Sequence, residues 1–147
     1  MRIEYQKAEE DDRSYFENLS TLCYQRLVEA AFGEWDAKRE AKQFAEKWQE
    51  SRFHKLYFAG ELVGGVWMEE HESYFQLREI MLEPAYRNRG IGTQVIERCI
   101  ATAALAAKPL RLRVIYDNPA ISLYKRLGFR EYGRRESSKQ ILMERAN

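Results

Sequence analysis

Cysteine is scarce in this 147-residue chain. Cys23 and Cys99 are its only two, too few for a disulfide framework, and both fall in apolar helical patterns where a free thiol behaves as a small core hydrophobe. Histidine is equally rare: His54 and His71 stand apart from each other and form no metal-ligand spacing with either cysteine, so surface or strand-packing roles are expected for them, and no metal. Long apolar runs are missing. Nowhere do apolar residues continue for the roughly 18 positions that a membrane span needs, and the opening MRIEYQKAEEDD has no apolar leader region. An excess of one charge is missing as well. Lys plus Arg number 24 against 23 Asp plus Glu, a net charge of +1, which provides no field to gather a polyanion or an acidic bilayer. Nucleic acid and membrane are therefore not expected as partners, and a soluble, reducing, cytoplasmic setting fits. Any anion must be captured locally, by a few basic side chains and oriented backbone N–H groups.

Proline is also sparse, and Pro84, Pro109 and Pro119 all fall where one pattern gives way to another. With no repeat, linker or low-complexity tract, and 45% hydrophobic content, one core and a single domain over residues 1–147 are expected. Residues 2 to 7 alternate as a short strand. Tyr15, Phe16, Leu19, Leu22, Cys23, Arg26, Leu27 and Ala30 then keep helical spacing, and Asp36 is placed to N-cap a second helix with Ala37, Ala41, Phe44 and Trp48 along one stripe. Three strands follow with short connections: His54 to Phe58, Leu62 to Met68 and Tyr74 to Leu82. Gly64-Gly65 inside the second of them marks a bulge or a close backbone approach. Ile91, Val95, Cys99, Ile100 and Ala103 describe a helix and Leu110 to Ile115 a strand, so Tyr74 to Tyr116 reads as a strand–helix–strand crossover with parallel strands. A helix over about 120 to 127, stopped by Gly128, and a hairpin near 130–133 and 140–144 complete an α/β (α+β) chain with a mixed sheet.

Chemistry concentrates at the crossover. The run Ile80-Met81-Leu82-Glu83-Pro84-Ala85-Tyr86-Arg87-Asn88-Arg89-Gly90-Ile91-Gly92-Thr93 is a strand, a proline turn, two arginines, a Gly-x-Gly and a helix start. The first helical N–H groups are unpaired, the macrodipole is positive there, and glycine lets a phosphate approach the backbone. The same glycines would also serve a tight strand-to-helix turn with solvated arginines beside it. The six-residue dinucleotide fingerprint fails, because Val95 stands three beyond Gly92, and the Walker pattern is absent. One strand downstream comes a second motif, Asn118-Pro119-Ala120-Ile121-Ser122-Leu123-Tyr124-Lys125-Arg126-Leu127-Gly128-Phe129.

Together these segments resemble the GCN5-related N-acetyltransferase (GNAT) superfamily. Arg87-x-x-Gly90-x-Gly92 is similar to its Q/R-x-x-G-x-G/A signature, and Asn118-x-Ala120-x-x-Leu123-Tyr124-x-x-Leu127-Gly128-Phe129 to its later motif. The resemblance is strongest from Leu77 to Phe129. The N-terminal third, which usually shapes the acceptor site in that superfamily, matches in element order alone.

The resemblance implies acetyl-CoA as co-substrate, lying between two splayed parallel strands with its pantetheine along the strand that holds Met81 and Leu82. It implies that the cofactor is held by the segment Arg87 to Thr93, with Arg87 and Asn88 opening the signature and the backbone amides of about Arg89, Gly90, Ile91, Gly92 and Thr93 meeting the diphosphate. Asn118 would stand near the pantetheine or acetyl end, and Ala120 and Tyr124 would also belong to the cofactor site. Acetyl would pass by direct amine attack through a tetrahedral intermediate, and Tyr124 would protonate the departing thiolate, a role that can coexist with helix packing. The acceptor must first lose a proton, since a lysine-like amine has a pKa of about 10.4. Glu79 is the candidate base, directly or through water, with Glu83 a lesser one beside the Pro84 turn. A small-molecule primary amine is the expected acceptor, Trp35 and Trp48 either lining an apolar pocket or packing in the core. A peptide acceptor, a non-catalytic CoA-binding module and a general phosphate or nucleotide binder are the alternatives. A homodimer is compatible with the resemblance.

Overall fold

The computed structural model describes residues 2–147. Strand β1 (Ile3–Lys7) is followed by helices α1 (Arg13–Phe32) and α2 (Ala37–Glu50), then by strands β2 (His54–Phe58), β3 (Glu61–Glu70) and β4 (Phe75–Leu82). Helix α3 (Ile91–Leu105), strand β5 (Leu110–Ile115), helix α4 (Ala120–Arg126) and strands β6 (Arg130–Arg135) and β7 (Gln140–Arg145) complete it. The expected order holds, as does the cap on α2: the Asp36 side chain accepts from Arg39 N at 3.1 Å. The final hairpin is longer than its sequence pattern indicates, because its strands remain paired through Arg135 and Gln140.

All strands join one seven-stranded sheet in the order β1-β2-β3-β4-β5-β7-β6, antiparallel except where β4 meets β5. That parallel pairing lasts for three positions, Phe75↔Leu110, Gln76↔Arg111 and Leu77↔Leu112, and then stops. The causes lie on both sides of the gap. On β4, Arg78 is an unopposed residue between the pairs Met68↔Leu77 and Trp67↔Glu79, a bulge that bends the strand just after its last parallel rung. On β5, the antiparallel partner β7 holds every residue from Leu110 to Ile115, so β5 follows β7 and not β4. The sheet therefore opens into a V at its centre.

Two cores flank the sheet. The larger joins Leu77, Leu112 and Val114 to the apolar face of α3, Ile91, Val95, Ile96, Cys99 and Ala103, with Tyr124 and Phe129 beside them. The smaller lies under α1 and α2 and is aromatic: Phe16 stacks on Phe53 at 4.6 Å between ring centres, with Trp67 and Met81 below. The close approach expected at Gly64-Gly65 is present, and so is a bulge in the β2–β3 ladder. A Cβ on Gly64 would stand 2.0 Å from Met81 O, and one on Gly65 2.1 Å from a ring carbon of Phe16. These two glycines bring β4 and α1 against β3.

Candidate functional site

The V opens onto a cleft of about 1530 Å³, above the 300–1,000 Å³ of common ligand pockets and large enough for a two-substrate site. One side is built from the β4–α3 junction. Asn88 and Gly90 both take left-handed backbone angles, φ +61° and +81°, and such alternation turns successive N–H groups toward one point. Gln94 N, bonded to Gly90 O at 3.1 Å, is the first N–H that the helix itself satisfies; those of Ile91, Gly92 and Thr93 are left free by helix geometry. Gly92 is a telling residue. Its backbone is helical and an added Cβ would meet nothing nearer than Leu82 Cδ1 at 3.7 Å, so the protein's own packing does not demand glycine there.

Arg87 does more than supply charge. Its Nε donates to Leu82 O at 3.2 Å and its Nη2 to Cys23 Sγ at 3.3 Å, which ties the end of β4 to α1 at the cleft wall. Cys23 consequently departs from the expected core thiol: it is half-buried, lines the cleft and donates to Leu82 O at 3.6 Å. The reason is tertiary, since its helical face packs only partly on the smaller core and borders the end of β4. Cys99 is the buried hydrophobe that its pattern implied, its thiol pushed up to about 11 by burial.

Glu79 and Tyr124 line the same cleft, near enough for the Glu79 charge to act on the Tyr124 hydroxyl. Glu79 sits on β4, its side chain 13% exposed; Oε1 accepts from Lys47 Nζ on α2 and Oε2 from Tyr24 OH on α1, both at 2.6 Å. Burial and then the Glu79 charge hold the Tyr24 proton well above the ordinary phenol range. Tyr124 is buried on α4, its ring edge-on to Phe129 at 5.7 Å. Its titration is likewise pushed far up, first by burial and then by the charge of Glu79. Among the described residues no hydrogen bond to its hydroxyl is formed, and Trp67 Nε1 is the one sealed, unpartnered side-chain polar atom, so the Tyr124 hydroxyl opens to the cleft.

The remaining sequence-derived positions divide. Leu82, Arg87, Asn88, Gly90, Gly92, Thr93, Asn118 and Ala120 line the cleft with Glu79 and Tyr124. Asn118 Oδ1 is committed to capping α4 through Ala120 N at 2.9 Å. Met81 and Ile91 turn their side chains into the two cores and do not line the cleft, and Arg89 lies 5.3 Å from the Tyr86 ring centre, likewise away from the cleft lining. Glu83 is engaged by Tyr15 OH at 2.6 Å. Trp48 packs between Phe44 and Phe53, whereas Trp35 lines the cleft. His54 lies half-buried in β2, and His71 stacks on Tyr74 at 4.6 Å. Sequence reasoning missed Tyr24 and Lys47. Their one local signal was a polar group beside an apolar helical stripe, one residue after Cys23 and one before Trp48.

A family model described as the acetyltransferase (GNAT) domain matches residues 49–131. Mycothiol acetyltransferase from Corynebacterium glutamicum (strain R) is 33% identical over 101 residues, covering 66% of this chain and 35% of that enzyme, so the match spans about a third of the relative. The PaiA N-acetyltransferase from Thermoplasma acidophilum, solved in complex with coenzyme A, superposes with a TM-score of 0.78 at 17% identity over 100% of both chains. The ribosomal-protein-S18-alanine N-acetyltransferase from Escherichia coli gives 0.68 at 19% identity over 98% of this chain and 93% of that one. At such identities the two structures establish the fold.

Proposed function

This chain belongs to the GNAT acetyltransferase domain family, and from that premise we propose that it transfers the acetyl group of acetyl-CoA to a primary amine of a small molecule. The observation that carries the reading is the parallel pair that parts after Leu77, with a helix start beside it whose Gly92 leaves room that the protein itself does not need. That room fits a diphosphate oxygen on the free N–H groups of Ile91, Gly92 and Thr93. The bent edge of β4 beyond Arg78, which has no β5 partner, has backbone groups free to pair with the amide arm of pantetheine.

Acetyl-CoA supplies an activated thioester whose carbonyl carbon accepts the neutral amine nitrogen to give a tetrahedral intermediate, and the carbon–sulfur bond breaks as that intermediate collapses and expels the thiolate. The protein's part is positional and protonic. Tyr124 stays a neutral phenol over the whole working range, because burial and the Glu79 charge both resist its ionisation; it donates a hydrogen bond to sulfur as negative charge develops there. Glu79 has both oxygens engaged, yet a carboxylate keeps about four acceptor positions, so it can accept a bond from the incoming ammonium and take the proton that the nitrogen must lose before attack, directly or through a bridging water. Lys47 and Tyr24 orient that carboxylate.

The test is a calorimetric titration with acetyl-CoA, followed by thiol release across an amine panel. Binding with amine-dependent release is the expected outcome. Binding without release for any amine would leave a CoA-binding module, and equal competition by ATP would leave a general phosphate binder.

A further inference from the structure

The acceptor side of the cleft lies beneath α1 and α2, and its walls differ from its floor. Of α1, only Phe16 and Leu19 are buried; Cys23 and Tyr24 still pack on the smaller core, whereas Leu22, Leu27, Val28 and Phe32 belong to neither. Leu22 and Phe32 are 61% and 44% exposed, and both line the cleft together with Leu27, Val28 and Trp35. Apolar side chains left open inside a concavity mark surface that a ligand covers. The floor beneath them is polar: the Glu79 carboxylate held by Lys47 and Tyr24.

The charge lining this side decides between kinds of amine. Three carboxylates line the whole cleft, Glu17, Glu40 and Glu79, against seven cations; Arg26, Arg39 and Lys47 stand on the two helices of this side, and Lys47 already stands on Glu79. A polycation would find no net attraction, and each further ammonium would lose water without gaining an excess carboxylate. A single ammonium at Glu79, with an apolar body on the α1 wall, matches both features.

We infer that the preferred acceptor is a monoamine carried on an alkyl- or aryl-sized apolar body, the body packed against Leu27, Phe32 and Trp35 and the nitrogen delivered to Glu79. The inference rests on the acetyl-transfer reading above and narrows its acceptor.

Thiol release is measured with a series of n-alkylamines, phenethylamine and tryptamine against ethanolamine, spermidine, an aminoglycoside and a short peptide with a free N-terminus. kcat/KM should climb about fourfold per added methylene until the wall is covered, the factor that burying one CH₂ provides. Trp35→Ala should flatten that slope by raising KM more than it lowers kcat. Phe32→Ala, at a position 44% exposed and outside both cores, should flatten it in the same direction. Spermidine, the aminoglycoside or the peptide outperforming every apolar monoamine, or a flat chain-length series, overturns this inference and leaves acetyl transfer standing. Release with no amine at all, despite acetyl-CoA binding, overturns both.

Discussion

Substituting Gly92 by alanine should make the protein more stable and a poorer binder of coenzyme A. The added methyl lies at ordinary contact distance, 3.7 Å from Leu82 Cδ1 and 3.9 Å from Leu123 Cδ2, on a backbone that is already helical. Replacing a helical glycine by alanine contributes about 0.5–1 kcal/mol. For a chain of this size that raises Tm by about 1–4 °C. The same methyl occupies the approach to the free N–H groups at the start of α3. Losing one hydrogen bond to a charged phosphate oxygen costs about 1.5–3 kcal/mol, or roughly 10- to 100-fold in Kd. Differential scanning calorimetry without ligand and a titration with CoA read the two effects separately. Two other glycines calibrate the result. Gly90→Ala meets no atom within 4 Å but has φ +81°, so it should lose about 1–2 kcal/mol of stability. Gly64→Ala forces a Cβ to 2.0 Å from Met81 O across the β3–β4 ladder and should be the most damaging of the three. A Gly92→Ala protein that binds CoA as tightly as the parent would refute the placement of the diphosphate.

Further outcomes follow from the cleft floor. Tyr124→Phe should lower kcat by roughly tenfold to ten-thousandfold, with acetyl-CoA affinity changed little, as read by single-turnover kinetics and titration. Glu79→Gln should alter the pH–rate profile, while Lys47→Met should raise KM for the amine, since the carboxylate loses an orienting partner at 2.6 Å. Folding holds the protons of Tyr15, Tyr24 and Tyr124 to a pH above the ordinary 10.0, in each case chiefly through burial. The unfolded chain releases those protons first, so the contribution of these three tyrosines is constant below about pH 10 and stability falls as pH rises beyond it; Tyr24→Phe should shallow that slope in denaturant titrations. Cys23, half-buried at the cleft wall, should react with a thiol reagent faster than buried Cys99, and CoA should protect it.

Element order and the glycine-bearing turn before α3 could be read from the chain because both are local. Gly-x-Gly after a proline turn and before an apolar helical pattern has few conformational solutions, and the α2 cap at Asp36 needs only Arg39 to form it. Cys23 could not be placed in the same way. Its helical spacing assigns it to an apolar face, but nothing within twenty residues says that this face ends over the open edge of β4, where Arg87 and Leu82 O await it. The same limit hid Tyr24 and Lys47, which meet Glu79 from 55 and 32 residues away. It also hid the sorting of Met81 and Ile91 into cores and of Trp35 from Trp48, since which face a helix or strand shows its neighbour depends on the docking of elements far apart in the chain.

What the chain by itself determined was the set of elements, their order and the glycine-bearing junction, because helix periodicity, strand alternation and turn chemistry act over a few residues. The tertiary structure alone decided that β4 and β5 part after three pairs, that a carboxylate, a lysine and two tyrosines share one corner, and that the apolar end of α1 hangs over them uncovered. A bulge at Arg78 and the competing pull of β7 on β5 open that space. Both are outcomes of strand pairing between distant segments, a competition whose winner no local pattern reveals.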